Sequence, residues 1–318
     1  MAPLLLPLVY FALLNTILVS VGYLFIKRYW IALSWIITIA AITAIHFIFL
    51  NQHPAIRMLA IIATTFSGMK IIAVAETYKG KKVKLSFKQW FVFALAWAGM
   101  RPQAFETLNG KPMPGAAPII RFGVTRFILG ALLILFARLL VANGIDNRIL
   151  ITGILLVALS FVLHFGLLSI SAGMWRLSGA DTYFLFRSPA KSNSLGEFWG
   201  KRWNLAFIEM SAVAVFRPLK KRFGEVAALV VSFIFSGLLH ELAISLPVKQ
   251  GYGLPTLYFI TQGLVVLAER SVLKDAAFLR NPIASKLWLF FWLALPMPLL
   301  FHPAFVEQII LPIAGINK

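Results

Sequence analysis

Apolar stretches long enough to cross a lipid bilayer recur along almost the whole chain. A transmembrane helix needs about 20 predominantly apolar residues, and the candidates lie at 3–25, 29–50, 56–75, 117–142, 148–172, 226–247, 252–269 and 287–303. Two further apolar segments, 89–100 and 205–216, are shorter and predict re-entrant or interfacial helices. Because 60% of the residues are hydrophobic and 13% are charged, a water-soluble globule could not bury this surface. The sequence therefore predicts an all-α polytopic membrane protein with about eight transmembrane helices.

The chain shows no repeat, low-complexity tract or long linker that would divide it. We therefore expect residues 1–318 to form a single membrane domain. No Lys or Arg precedes Lys27, and the first apolar run is longer than the core of a signal peptide, so this segment is expected to stay as an anchor. Lys70 and Arg138 lie near the ends of their spans, where their side chains are expected to snorkel towards the interface.

Positive charge is concentrated between the apolar spans. The chain has 30 Lys+Arg against 11 Asp+Glu, a formal net charge of +19. A nucleic-acid-binding protein would gather such charge on one basic face, whereas cations in short loops between spans follow the positive-inside rule. With the N-terminus outside, the outer loops hold four cations, at Arg57, Arg148, Lys249 and Lys318. We predict a multi-pass integral membrane protein with an outside N-terminus, a cytoplasmic loop at 173–204 and no nucleic-acid partner.

Several kinds of chemistry are excluded by inspection. The chain has no cysteine, which excludes disulfides, thiolate metal sites and a cysteine nucleophile. Its five histidines lack the clustered spacings of a di-metal site, so no metal and no permanently bound cofactor is predicted. The G-x-S-x-G, P-loop and H-E-x-x-H patterns are missing, as are the rows of intramembrane acids expected of a proton-coupled transporter.

The run 194–204 is the first of two informative segments. Ser194 and Glu197 match a capping box, which predicts a helix start. On a continuous helix, Gly200 and Asn204 would share a face, and a partner could approach Asn204 closely. A second interpretation is an interfacial anchor of the kind that aromatic and basic residues form at membrane surfaces. The residues concerned are Trp199, Lys201, Arg202 and Trp203.

The second segment places His240 inside the predicted span 226–247. An ionisable side chain at membrane depth is costly and suggests a function. Ser236 and Gly237 lie on the same helix face and either leave room beside the imidazole or mark tight helix packing. Glu241 points about 100° away, and a structural ion pair is expected for it.

Together these segments resemble a known family. The string Phe-Trp-Gly-Lys-Arg-Trp-Asn at 198–204, followed after 36 residues by His240 in Ser-Gly-Leu-Leu-His-Glu-Leu, is similar to the wax synthase branch of the membrane-bound O-acyltransferase family. Ser188-Pro189 and Ser192-x-Ser194-Leu195 match the same branch. The resemblance covers 188–242, which would contain the catalytic core motifs.

The resemblance implies a helical fold around a central tunnel and an acyl transfer from acyl-CoA to the hydroxyl of a long-chain alcohol, giving a wax ester. His240 matches the family's catalytic histidine, a general base, and Asn204 its paired polar residue. Acyl-CoA would be a co-substrate, and membrane lipids would surround the protein. The residues that would contact the CoA part are Lys201, Arg202, Trp203 and Trp199, although attraction to anionic lipid would also explain the cations.

Other functions remain open from the sequence. A relative that acts on a sterol or a diacylglycerol, or that uses a short acyl donor, would have the same core residues. A lipid transporter or scaffold that keeps the fold without catalysis is the alternative from another class.

Overall fold

The computed structural model of the protein describes residues 3–316, and these residues are helical with no strand among them. Seven helical stretches are long and apolar enough to cross a membrane, which confirms the predicted all-α polytopic class. The described residues form two compact units, one running up to Leu185 and resuming at Val306, the other spanning Phe186–Phe305. The single membrane domain over 1–318 stays a prediction.

The first unit contains seven α-helices. They are α1 (Leu5–Arg28), α2 (Ile31–Ile48), α3 (Pro54–Thr77), α4 (Phe87–Ala96), α5 (Ala116–Ala142), α6 (Arg148–Leu159) and α7 (Leu168–Leu177). A π-helical segment, Ser160–Leu167, joins α6 and α7 into one stretch. The remaining turns are the 3₁₀ segments Pro102–Phe105 and Leu311–Ala314 and the π-helical segment Val306–Ile310.

Helix α3 is the most buried helix of this unit, and α1 and α2 pack closely against it. A Cβ added at Gly68 would come within 2.4 Å of Thr38 Cγ2, and one at Gly22 within 2.5 Å of Ile71 Cδ1. Small residues at such crossings let membrane helices approach closely.

The short helix α4 ends against a buried lysine. Its ten residues span about 15 Å, too short to cross the hydrocarbon, as the sequence predicts for 89–100. The ammonium group of Lys70 donates to the carbonyls of Phe93, Ala94 and Trp97. The snorkelling prediction for Lys70 is therefore wrong: the side chain is 1% exposed, because the carbonyls at the end of α4 bind the cation.

The second unit is built from shorter elements around two long helices. Its α-helices are α8 (Leu195–Glu197), α9 (Leu205–Ser211), α10 (Arg217–His240), α11 (Leu246–Val248), α12 (Leu254–Arg270), α13 (Ala277–Arg280), α14 (Pro282–Ala294), α15 (Met297–Leu300) and α16 (Pro303–Phe305). The intervening segments are one 3₁₀ turn, Pro189–Lys191, and three π-helical segments, Phe198–Arg202, Ala212–Phe216 and Glu241–Ser245. Residues 188–242, where the sequence motifs lie, all belong to this unit.

Two of the predicted boundaries differ from the structure. The segment predicted at 205–216 continues into α10, and the break comes instead at Gly224, whose φ of 84° is a conformation that glycine tolerates. The span predicted at 252–269 corresponds to α12, which has 17 residues. At 1.5 Å per residue it measures about 26 Å, slightly less than the hydrocarbon core. This is why seven long spans are found where eight are predicted.

Candidate active site

His240 is the last residue of α10, directly before the π-helical segment Glu241–Ser245. Its Nδ1 lies 2.7 Å from the carbonyl oxygen of Ser236. A carbonyl only accepts hydrogen bonds, so Nδ1 carries a proton, and in the neutral imidazole Nε2 is the unprotonated nitrogen. A neutral imidazole in this tautomer presents Nε2 as a base.

Two aromatic rings hold the imidazole of His240. The ring of Phe259, on α12, lies 4.2 Å away between centroids at an interplanar angle of 38°. The ring of Phe207, on α9, lies 6.3 Å away. With the hydrogen bond to Ser236, these contacts restrict the ring to one orientation, which a positioned base requires.

Asn204 begins α9 in the left-handed region, with φ 49° and ψ 72°. Its Oδ1 accepts the backbone N–H of Phe207 at 3.2 Å, so the side chain is the helix N-cap. The amide nitrogen Nδ2 makes no hydrogen bond within residues 3–316 and keeps both donors available. Phe207 therefore connects the two residues: Asn204 caps its backbone N–H, and its ring contacts the imidazole of His240.

The helix predicted from Ser194 does not reach Asn204. The π-helical segment ends at Arg202, and Trp203 is extended with φ −94° and ψ 122°. The shared face expected for Gly200 and Asn204 is therefore wrong, because the chain turns at Asn204 to start α9. Asparagine is common both as an N-cap and in the left-handed region, so its identity was the available signal for a break here.

The start of α8 follows the predicted capping pattern in part. Ser194 Oγ accepts the N–H of Glu197 at 3.0 Å, as expected. The Glu197 carboxylate accepts the N–H of Asn193 instead of that of Ser194. It also pairs with Arg202 at 2.7 Å. The Asn193 N–H and then the Arg202 guanidinium lower the pKa of Glu197, because both favour its charged form.

Glu269, which the sequence analysis did not identify, fixes the same segment from α12. Its carboxylate accepts the N–H groups of Leu195 and Gly196, each at 2.9 Å, and the indole N–H of Trp288 at 3.2 Å. An acid at a helix start satisfies orphan donors. No sequence signal indicated this contact, since the partners are more than 70 residues apart.

The two tryptophans of the motif pack into the second unit. Trp199 donates from Nε1 to Gln262 Oε1 at 3.0 Å, and its ring contacts that of Phe259. Trp203 stacks on Phe198 with centroids 5.3 Å apart and an interplanar angle of 14°. Both rings lie against the apolar cluster built around residues such as Phe198.

The two cations of the motif differ in their surroundings. Arg202 is committed to the Glu197 carboxylate and to the carbonyl of Arg187. Lys201 is exposed and makes no hydrogen bond within residues 3–316. Of the four residues predicted to contact CoA, Lys201 has the most accessible charge. Within the same described residues, no group of three His, Asp or Glu side chains could hold a metal ion.

Glu241 and Gly237 join α10 to α12. Glu241 Oε1 accepts the N–H of Gly253 at 3.0 Å and both the N–H and hydroxyl of Thr256, at 3.0 and 2.9 Å. The ion pair expected for Glu241 is replaced by hydrogen bonds to the start of α12. A Cβ at Gly237 would come within 2.6 Å of Thr256 Cα, so this glycine allows α10 to pack tightly against the start of α12.

The region that holds these residues matches a known family. Residues 183–261 match the family model described as "Membrane bound O-acyl transferase family". The match contains Asn204, Phe207, His240 and Phe259.

Curated relatives resemble longer parts of the chain. The chain is 25% identical over 190 residues to "Probable long-chain-alcohol O-fatty-acyltransferase 1" of Arabidopsis thaliana, covering 57% of this chain and 53% of the relative. It is 34% identical over 71 residues to "Long-chain-alcohol O-fatty-acyltransferase" of Simmondsia chinensis, covering 20% of each. It is 29% identical over 89 residues to "Acyl-CoA--sterol O-acyltransferase 1" of Arabidopsis thaliana, covering 26% of each. The chain thus spans about half the length, or less, of these relatives.

Proposed function

We propose that the chain acts as a member of the membrane-bound O-acyltransferase family, whose model matches residues 183–261, and transfers a fatty acyl group from acyl-CoA to the hydroxyl of a long-chain alcohol. Two relatives carry long-chain-alcohol O-fatty-acyltransferase in their names, which supports this acceptor. The observation that carries the proposal is that Phe207 connects the two residues, because Asn204 caps its backbone N–H and its ring lies 6.3 Å from the His240 imidazole, whose Nδ1 is bound to Ser236.

In the proposed reaction, His240 Nε2 removes the proton of the alcohol hydroxyl as its oxygen attacks the thioester carbonyl. The Nδ1–H bond to Ser236 stabilises the imidazolium that forms. General-base assistance of this kind contributes about 10²–10⁴-fold. When the tetrahedral intermediate collapses, the C–S bond breaks and the imidazolium returns its proton to the thiolate, giving the ester and free CoA.

In the proposed reaction Asn204 is the oxyanion donor. Its Oδ1 is occupied by the Phe207 N–H, so the amide group presents Nδ2 outwards. Negative charge on the former carbonyl oxygen would accept from Nδ2, and one such donor is worth roughly 2.7–4 kcal/mol in other enzymes. In this proposal the turn at Asn204 has two roles: it starts α9, and it leaves the Nδ2 group available to donate a hydrogen bond.

The CoA part is polyanionic and needs cations at a wet surface. Exposed Lys201 and the basic run Arg217–Arg222 are the groups of the second unit suited to its phosphates. We also propose an outside N-terminus and a cytoplasmic loop 173–204, which the distribution of Lys and Arg supports.

Because the chain has no cysteine, single-cysteine labelling tests this orientation without background. A membrane-impermeant maleimide should label Lys249→Cys in intact cells and Lys191→Cys only after permeabilisation. The opposite pattern would reverse the proposed orientation.

The catalytic proposal is tested in a host that lacks this activity. Labelled acyl-CoA is supplied with a panel of alcohols, and ester formation is measured for the wild type, His240→Ala, Asn204→Asp and a control at an exposed residue, Lys286→Gln. His240→Ala should abolish ester formation and the control should retain it. Asn204→Asp keeps the helix cap but removes the Nδ2 donor, so turnover should fall about 10²-fold or more while the protein stays folded.

Activity that survives His240→Ala would remove this residue from the mechanism. Folded wild-type protein that forms no ester with any acceptor would favour a lipid transporter or scaffold. A sterol acceptor is the second candidate, because one relative is named an acyl-CoA–sterol O-acyltransferase. Sterols in the acceptor panel decide between the two.

A further inference from the structure

A cluster of cations surrounds one end of α1 and α3 in the first unit. The loop after α3 reads Lys-Gly-Lys-Lys-Val-Lys-Leu-Ser-Phe-Lys over residues 79–88, and α1 ends in Lys27 and Arg28. The seven residues, here called the basic rim, are Lys27, Arg28, Lys79, Lys81, Lys82, Lys84 and Lys88. All seven are exposed.

Contacts between α1 and this loop bring the basic rim together. The hydroxyl of Tyr23 donates to the carbonyl of Leu85 at 2.8 Å, and that of Tyr29 donates to Glu76 Oε1 at 3.2 Å. The ammonium of Lys27 lies 4.6 Å from the Tyr23 ring. The loop is therefore tied to the end of α1, and its cations are held at one level.

The basic rim has little internal charge compensation. The pKa of Lys79 is raised, first by its contact with Tyr29 and then by the nearby Glu76 carboxylate. No ion pair with an acid joins Lys81, Lys82, Lys84 or Lys88 within residues 3–316. A surface of this kind is electrostatically complementary to an anion outside the chain.

Exposed aromatic side chains lie at the same level as the basic rim. Trp30, 38% exposed, contacts Arg28, and Phe87, 47% exposed, packs its ring 5.4 Å from that of Tyr23. Aromatic residues beside cations at the ends of transmembrane helices mark the headgroup level of a bilayer. The anions that lie in this plane are lipid phosphates.

We propose that the basic rim binds the headgroups of anionic phospholipids in the surrounding leaflet. Polybasic segments next to transmembrane helices attract such lipids. The rim consists of exposed side chains at helix ends, an arrangement that suits many lipids at a surface more than one soluble ligand. The proposal is independent of the catalytic activity.

Spin-labelled lipids test this surface in the full chain. The protein is reconstituted in phosphatidylcholine vesicles with a small fraction of spin-labelled phosphatidylglycerol or phosphatidylcholine, and electron paramagnetic resonance measures their relative association. The wild type should prefer phosphatidylglycerol, and high salt should weaken the preference. In the variant K81Q/K82Q/K84Q/K88Q the preference for phosphatidylglycerol should fall about fivefold or more. The variant K81R/K82R/K84R/K88R keeps the charge and should retain the preference.

A matched control removes the same charge elsewhere. The lysines Lys111, Lys191, Lys274 and Lys286 are also exposed, and their fourfold Gln variant should keep most of the preference. Equal loss in both Gln variants would show an effect of net charge alone and overturn the proposal, as would an unchanged preference in the loop variant. Displacement of phosphatidylglycerol from the wild type by soluble coenzyme A would assign the basic rim to a polyphosphate instead.

Discussion

The rings of His240 and Phe259 lie 4.2 Å apart between centroids, so α12 fixes the orientation of the imidazole that ends α10. Phe259 also contacts Trp199, the first tryptophan of the 198–204 motif. One aromatic ring thereby connects the two sequence segments that suggested a function. The proposed base is positioned by residues from three separate parts of the second unit.

Replacing Phe259 with leucine should reduce turnover. The smaller side chain keeps the site apolar but no longer fixes the imidazole plane, so we expect kcat to fall about tenfold to a hundredfold with little change in KM. Steady-state kinetics on purified protein measure both constants. Phe290→Leu, at a position 48% exposed, is the matched control and should behave as wild type. Equal kinetics for both variants would contradict the positioning role.

Replacing Glu241 with alanine should destabilise the protein. Three donors at the start of α12 would lose their acceptor, at a cost of about 2–3 kcal/mol. Glu241→Gln keeps a carbonyl oxygen in place and should retain most of the stability. Thermal unfolding in detergent compares the three proteins. An alanine variant as stable as wild type would show that this cap is dispensable.

Alanine substitutions at two glycines should have opposite outcomes. A Cβ at Gly237 meets the backbone of Thr256 at 2.6 Å, whereas one at Gly200 meets nothing within 4 Å. Gly237→Ala should therefore force α10 and α12 apart and cost about 1–3 kcal/mol, while Gly200→Ala should leave the unfolding temperature unchanged. If Gly200→Ala nonetheless lowers activity, the space beside Gly200 is used by a substrate. Similar unfolding temperatures for both variants would exclude the tight crossing.

The Glu197 carboxylate should make stability depend on pH in the acid range. Its pKa is lower in the folded protein than in the unfolded chain, because Asn193 and Arg202 stabilise the charged form. This stabilisation is complete above the unfolded value of about 4.3 and is lost as the pH falls through the folded value. Glu197→Gln should reduce the loss of unfolding temperature between pH 6 and the acid range. A variant that parallels the wild type at every pH would assign the dependence to other groups.

Local patterns predicted much of this architecture from the sequence. The apolar runs located the helices, because a bilayer requires about 20 such residues to cross it. Ser194 was identified as a cap because its partner lies three residues away. His240 was singled out because an ionisable side chain is unusual at membrane depth.

Features that depend on distant partners could not be read in the same way. Lys70 is buried because carbonyls more than 20 residues away bind it. Glu241 binds the start of α12, and Glu269 binds the start of α8. These partners are too far apart in the sequence for a helical repeat to indicate the contact. The turn at Asn204 interrupts a pattern that is otherwise compatible with a continuous helix. Such contacts are determined by tertiary packing.

The internal carboxylate of Glu269 has a consequence for any phosphorylated ligand of the second unit. Backbone amides at the beginning of a helix are common receptors for phosphate groups, but here those of Leu195 and Gly196 already hold an anion supplied by the chain itself. A nucleotide-bearing thioester arriving from water would have to be recognised through flexible ammonium and guanidinium side chains. Recognition of that sort tolerates variation in the ligand and weakens as ionic strength rises.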